Sequence, residues 1–349
     1  MWGLIRVQDK KIPDLQPLPG REVIPQAAAS VCPAGAPLKN FAVSAIDYKM
    51  DLHSLAPGII KPESAGAKRN IIAENAEARI YVLDGEVKAV SGGQKRPHPL
   101  TLRVNVGDCI KVKLTNRVKS GKVSFHADML AYDPNDSMGA NIGRNKGDQT
   151  VAPGKSRTYT FYAHPEIGET AALITDYGDI TRNVRNGLYG AIIVGPRGSV
   201  YRDLVSGEDI SLGNSWRADV VIDKSIHKNR NRKNFRDVAL FFQDEDNVIG
   251  TSFMPYVRDT AGLAAVNYRI EPLIWRAEKY GCEFTDGYYC EGAPNPETPV
   301  IEANVGDDVR IHVIGAHGEQ NSIFSVENHQ WPLEPELEGA EMMEGEQFG

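Results

Sequence analysis

The residues able to do chemistry are few and scattered along the chain. Val123-Ser-Phe-His-Ala-Asp128 places His126 close to Asp128. An imidazole beside a carboxylate reads either as a hydrogen-bonded histidine near the end of a β-sandwich or as the remnant of a metal site with Asp128. Asp133, Asn135, Asp136 and Asp148 supply oxygen atoms of the kind calcium takes. The same residue types also build Asx turns. Cys282 and Cys290 bracket a loop with a turn signal at Asp286-Gly287, which suits either a disulfide closing the loop or two free thiols. Zinc is disfavoured, because the four cysteines contain no Cys-x-x-Cys pair and no histidine cluster lies near them. A disulfide would put the chain in an oxidising compartment.

The elements that must position these groups read as strands. One frame occurs twice: Leu102-Arg-Val-Asn-Val-Gly-Asp-Cys-Ile-Lys-Val-Lys-Leu-Thr-Asn116 and Ile301-Glu-Ala-Asn-Val-Gly-Asp-Asp-Val-Arg-Ile-His-Val-Ile-Gly315. Apolar and polar residues alternate on both sides of each Gly-Asp turn, which predicts two half-buried strands per copy. Further short β-branched or aromatic runs fall at Phe41–Ile46, Arg79–Leu83, Leu100–Val104, Thr158–Tyr162 and Ala191–Val194. With 33 glycines and 21 prolines spread between such runs, turns are frequent and long helices are not expected. The expected fold class is all-β, as tandem antiparallel Greek-key sandwiches.

Length and charge bound the rest. A chain of 349 residues suggests about two domains. The formal charge of −7 argues against a nucleic-acid partner. The basic run from His227 to Arg236 reads as a solvated loop ahead of the strand Asp237–Phe242. No apolar stretch approaches the roughly 20 residues of a membrane-spanning helix. The expected organisation is a closing strand of a preceding domain (1–11), a proline-rich connector (12–37), a first sandwich (38–198), a linker (199–216) and a second sandwich (217–349). Met1–Val7 repeats the pattern of Asn186–Val194, which closes the first sandwich. From Gly107 the first sandwich runs on to a closing strand at Gly190, whereas the second frame turns at Gly306 and the sequence stops at Gly349. The second sandwich is therefore expected to lack its C-terminal strands, with the chain an interior segment of a longer polypeptide or assembly. Open strand edges of that kind need a partner.

Several stretches together resemble multicopper oxidases. They are Pro153-Gly-Lys-Ser-Arg-Thr-Tyr-Thr-Phe-Tyr162, Asn186-Gly-Leu-Tyr-Gly-Ala-Ile-Ile-Val194-Gly-Pro196, Leu130-Ala-Tyr-Asp133, Asp148-Gln-Thr-Val-Ala-Pro-Gly154, Phe241-Phe-Gln-Asp-Glu-Asp246 and His329-Gln-Trp-Pro-Leu-Glu-Pro335. The likeness is to the large bacterial multi-cupredoxin type, manganese-oxidase-like and distantly ceruloplasmin-like, and it implies cupredoxin domains. It also implies copper, held partly by His-x-His pairs, whose alternate residues project together from a strand. This chain contains neither His-x-His nor His-Cys-His. The family's positions fall on His126 and Asp128 in the first sandwich, and on Ser322, Ser325, Glu327 and His329 in the second. His126, Asp128, Glu327 and His329 thus read as vestigial, and Met1 falls where some members place a weak axial ligand.

The resemblance implies a non-catalytic cupredoxin-like segment of an exported, periplasmic or extracellular oxidase. That oxidase would couple oxidation of a metal ion or organic donor to O2 reduction. Copper would be held by other cupredoxin domains, which are this segment's expected partners, and no copper is expected here. The alternative is an assembly or partner-binding cupredoxin protein without oxidase activity. Asp176, Asp179 and Glu327, near the former sites, read either as a guide for a cationic substrate or as hydrogen-bonded carboxylates.

Overall fold

A computed structural model describes residues 12–20, 30–51, 74–142, 147–180, 182–227, 232–244, 264–271, 273–283, 290–318, 322–332 and 339–348. The closing strand expected over 1–11, with Met1 in it, and the Asp286-Gly287 turn lie outside these residues.

Alternating apolar runs build the first unit from two sheets. Strands β1 (Leu38–Asp51), β2 (Glu74–Leu83), β4 (Cys109–Asn116), β6 (Ala131–Tyr132) and β7 (Ser156–Tyr162) make one sheet in the order β2-β1-β4-β7-β6. Strands β3 (Leu100–Asn105), β5 (His126–Ala127), β8 (Thr170–Thr175) and β9 (Gly190–Gly195) make the other, in the order β3-β9-β8-β5. Between them lies a core containing Phe41, Val43, Leu102, Ile110, Val112, Phe125, Phe161, Ile192 and Val194, all buried. Outward alternates of β4, such as Lys111 and Lys113, are exposed, as a period-2 strand with one wet face requires. The molecule is all-β. Its described helices are the short α1 (Val87–Ser91) and α2 (Leu273–Tyr280).

The second unit repeats half of this plan. Strands β10 (Val200–Arg202), β11 (Arg217–Val221), β12 (Phe235–Asp244) and β13 (Ala264–Val266) form a sheet, with β14 (Val309–Gly318) along the other edge of β12. Parallel pairing of β12 with β14 and antiparallel pairing with β13 repeats that of β1 with β4 and β2. The Gly-Asp turns match in detail. Asp108 Oδ2 accepts the Asn105 amide at 2.8 Å, and Asp307 Oδ2 accepts the Asn304 amide at 2.8 Å. Gly107 and Gly306 carry φ of 90° and 93°, a left-handed conformation that glycine adopts without strain. Strand β10 falls within the stretch 199–216 and hydrogen-bonds to β11, so that stretch contributes to the second sheet.

The repeat then breaks down. Leu100–Asn105 is fully buried as β3, whereas 301–305 forms no strand and Val305 is fully exposed. The strand expected before the second turn is thus absent. The physical reason is its missing ladder partner, because β3 pairs in parallel with β9, and among the described residues no strand lies alongside 301–305. Beyond β14 the described strands are two short hairpin-like pairs. Strand β15 (Ser322–Phe324) joins β18 (Glu346–Phe348), and β16 (Trp331–Pro332) joins β17 (Met342–Met343).

Strands β3 and β9 are buried on both faces because the second sheet packs against them from outside. Ile192 and Val194 enter the first core, while Tyr189, Ala191 and Ile193 join Ala239, Phe241, Tyr268, Ile314 and Ala316 in a second apolar cluster. Tyr189 donates to Gln243 Oε1 at 3.1 Å, and Tyr268 donates to the Gly187 carbonyl. On β3 the same alternation sends Leu102 and Val104 inward and Arg103 toward the second unit, where it meets Asp237 of β12. The junction between units is thus a core in its own right.

Candidate functional site

The alternation Val123, Phe125, Ala127 fills the first core, leaving Ser124, His126 and Asp128 on the opposite side. His126 is 5% exposed. Its Nε2 lies 3.1 Å from Asp128 Oδ1, and its Nδ1 is buried without a hydrogen-bond partner among the described residues. The ring meets Tyr132 edge-on at 5.0 Å between centroids and Tyr177 at 5.3 Å. Burial, then the charge of Asp128, raises both tyrosine pKa values above the ordinary phenol value. The imidazole is therefore boxed by two phenols and oriented by one half-exposed carboxylate.

Glu327 and His329 are placed differently. Both are exposed, in a turn rather than on a strand, with Asn328 at φ 59° and His329 Nδ1 2.8 Å from the Glu327 carbonyl oxygen. They belong to the second unit, and the structure does not bring them to His126 and Asp128. Among the described residues, no group of three or more His, Cys, Asp or Glu side chains is arranged to hold a metal ion. Copper of the multicopper type needs clustered imidazoles. The donor set around His126 is one imidazole already on a carboxylate, flanked by tyrosines, and it does not fit.

The oxygen-rich turn near β6 is occupied by protein donors. Asp133 Oδ1 accepts the Asn135 amide at 2.9 Å, and Asp136 Oδ1 accepts from Arg157 at 3.0 Å. Asp148 accepts from Lys122 at 2.6 Å, Asn141 at 2.7 Å and the Thr150 amide at 2.9 Å. Those bonds, that to Lys122 foremost, hold the Asp148 carboxyl well below the usual range.

Asp176 is not a surface guide for cations. It is 1% exposed and ties a loop together, accepting from the Ser124 amide at 2.6 Å, Asn183 Nδ2 at 2.7 Å and the Asp179 amide at 3.0 Å. Burial pushes its carboxyl up to about 6, against the pull of these donors. The hydrogen-bonded alternative fits this position.

Three features were not singled out in the sequence. Cys32 and Cys109 form a disulfide with Cα atoms 5.6 Å apart, tying the connector to the first strand after the Gly-Asp turn. The Cys282–Cys290 pair, which the sequence did single out, is also joined by a disulfide, with Cα atoms 5.8 Å apart. The buried Asp237 takes Arg103 Nη1 on Oδ1 and lies 2.8 Å from His312 Nε2 on Oδ2. A charged residue inside the apolar run Leu-Thr-Leu-Arg-Val was the available signal. The third feature is a crevice of about 410 Å3 beside Trp216, Arg217 and Arg269.

No helix among the described residues is long and apolar enough to cross a membrane. No protein-family model matches the chain. A segment of 115 residues, 30% of the chain, is 32% identical to coagulation factor VIII of Sus scrofa, and it spans 5% of that protein's length. Among solved structures, the chain is similar to a multicopper oxidase at 17% identity and a TM-score of 0.46, covering 91% of this chain and 78% of that one. It is similar to the blue copper oxidase of Nitrosomonas europaea at 17% identity and a TM-score of 0.47, covering 89% and 72% of the two chains. It is also similar to the copper nitrite reductase of the same organism at 14% identity and a TM-score of 0.47, covering 89% and 81%.

Proposed function

We propose that this chain is a non-catalytic, cupredoxin-like segment of an exported multicopper oxidase, with copper held by other cupredoxin domains. The observation that carries the reading is the His126 site. The strand that would present paired imidazoles presents one, and its neighbours are the Asp128 carboxylate 3.1 Å away and the Tyr132 and Tyr177 rings rather than further imidazoles. The sequence motifs quoted above supply the family, and the two disulfides suit an oxidising compartment.

In this reading the segment acts by holding shape. The buried junction between β3, β9, β12 and β14 fixes the two units, so domains on either side would be held at set distances. The donor that the oxidase consumes, metal ion or organic molecule, would be chosen by those domains. Copper content of the purified chain after loading and removal of excess tests the proposal.

A further inference from the structure

Buried side-chain nitrogens in proteins are usually hydrogen-bonded. Arg269, in the turn after β13, departs from this. Its Nε is buried with no hydrogen-bond partner, and its guanidinium donates no hydrogen bond among the described residues. It lines the crevice of about 410 Å3 with Arg217, whose guanidinium lies over the Trp216 ring 5.3 Å from the centroid. The side chain of Arg217 also makes no hydrogen bond among the described residues.

Arg217 and Arg269 share the crevice lining with Glu297 and Glu302. Glu297 on its wall is taken by Arg96, Nη1 to Oε2 at 3.0 Å. Glu302 is exposed at the rim, where its carbonyl oxygen accepts from Arg236 at 2.7 Å. Burial, then the neighbouring Arg96, lowers the Arg269 pKa, and Glu297 offsets this in part. A partly desolvated guanidinium held beside Arg96 gains from a counter-charge beyond that of Glu297.

We propose that the crevice between Trp216, Arg217 and Arg269 is a binding site for a small molecule bearing an oxyanion, a carboxylate or a phosphate. The planar guanidinium fork matches either group in bidentate fashion. The volume falls within the range of small-molecule sites, roughly 300–1,000 Å3, so it admits more than a bare ion. Trp216 and Pro296 supply apolar wall for the body of the molecule. This inference does not depend on the oxidase reading.

The test uses the 349-residue chain, titrated calorimetrically with inorganic phosphate and with benzoate at constant ionic strength, so that general screening does not change. Wild type binds at least one probe saturably at one site and gains thermal stability with it. Benzoate binding more tightly than phosphate assigns a carboxylate ligand, and the reverse order a phosphate. Arg269→Gln weakens binding by about tenfold or more, and Arg269→Lys, which keeps the charge but loses the fork, falls between. Arg217→Gln provides a second variant should Arg269→Gln fold poorly, and it also weakens binding. Lys113→Gln, on the exposed face of β4, binds as wild type. Absence of saturable binding for both probes overturns the proposal, as does wild-type affinity in folded Arg269→Gln and Arg217→Gln.

Discussion

Arg103 of β3 and Asp237 of β12 form a charged hydrogen bond between the two units, with both side chains at most 2% exposed. Burial alone would raise the Asp237 carboxyl. His312 and Arg103 outweigh it and hold the carboxyl well below the usual range. Asp237 thus contributes stability that is present above the ordinary carboxylate pKa and is lost as pH falls through its lowered folded value. Arg103→Met leaves a buried carboxylate with His312 as its remaining side-chain partner, and is expected to cost about 3–5 kcal/mol. Urea unfolding at pH 7 measures this, and the double variant Arg103→Met, Asp237→Asn is expected to lose less than the sum of the single changes.

His98 and Asp176 oppose each other between about pH 4 and pH 6. Burial lowers the His98 pKa to about 4, so its contribution is present above the ordinary histidine value and is lost as pH falls through 4. Asp176, raised to about 6, contributes stability that is present below the ordinary carboxylate value and is lost as pH rises through 6. The wild-type stability curve is expected to be nearly flat across this window from these two groups. Asp176→Asn removes one slope and should leave stability rising with pH, while His98→Asn should leave it falling. Thermal melts at half-unit pH steps read both slopes. Equal slopes in the two variants would reject the pairing.

The Cys32–Cys109 disulfide closes a loop of sequence separation 77. Cross-linking so long a loop restricts the unfolded chain by about 4.5 kcal/mol on the chain-entropy account. The Cys282–Cys290 bridge, with separation 8, restricts it by less. Cys32→Ser with Cys109→Ser is therefore expected to lower the urea midpoint more than Cys282→Ser with Cys290→Ser does.

The sequence made the strands legible because alternation reports burial on one face. It made the Asn105–Asp108 and Asn304–Asp307 turns legible because Asn-Val-Gly-Asp builds the same hydrogen bond twice. Alternation failed at 301–305, where a strand needs a ladder partner that no local pattern encodes. It also hid the interface: the second face of β3 and β9 looks ordinary until the second sheet covers it. At the candidate site, the His126–Asp128 spacing pointed to a real contact, while the Glu327–His329 spacing did not survive the turn at Asn328. Arg269 was invisible because a buried Nε left without a hydrogen-bond partner is a property of its surroundings.

Metal content decides whether this chain holds copper of its own. The purified 349-residue chain would be loaded with copper, freed of excess, and assayed by mass spectrometry together with its visible spectrum. Well under one copper per chain and no intense blue charge-transfer band are expected, with any residual binding weakened by His126→Gln. Stoichiometric copper with an intense blue band would contradict this expectation.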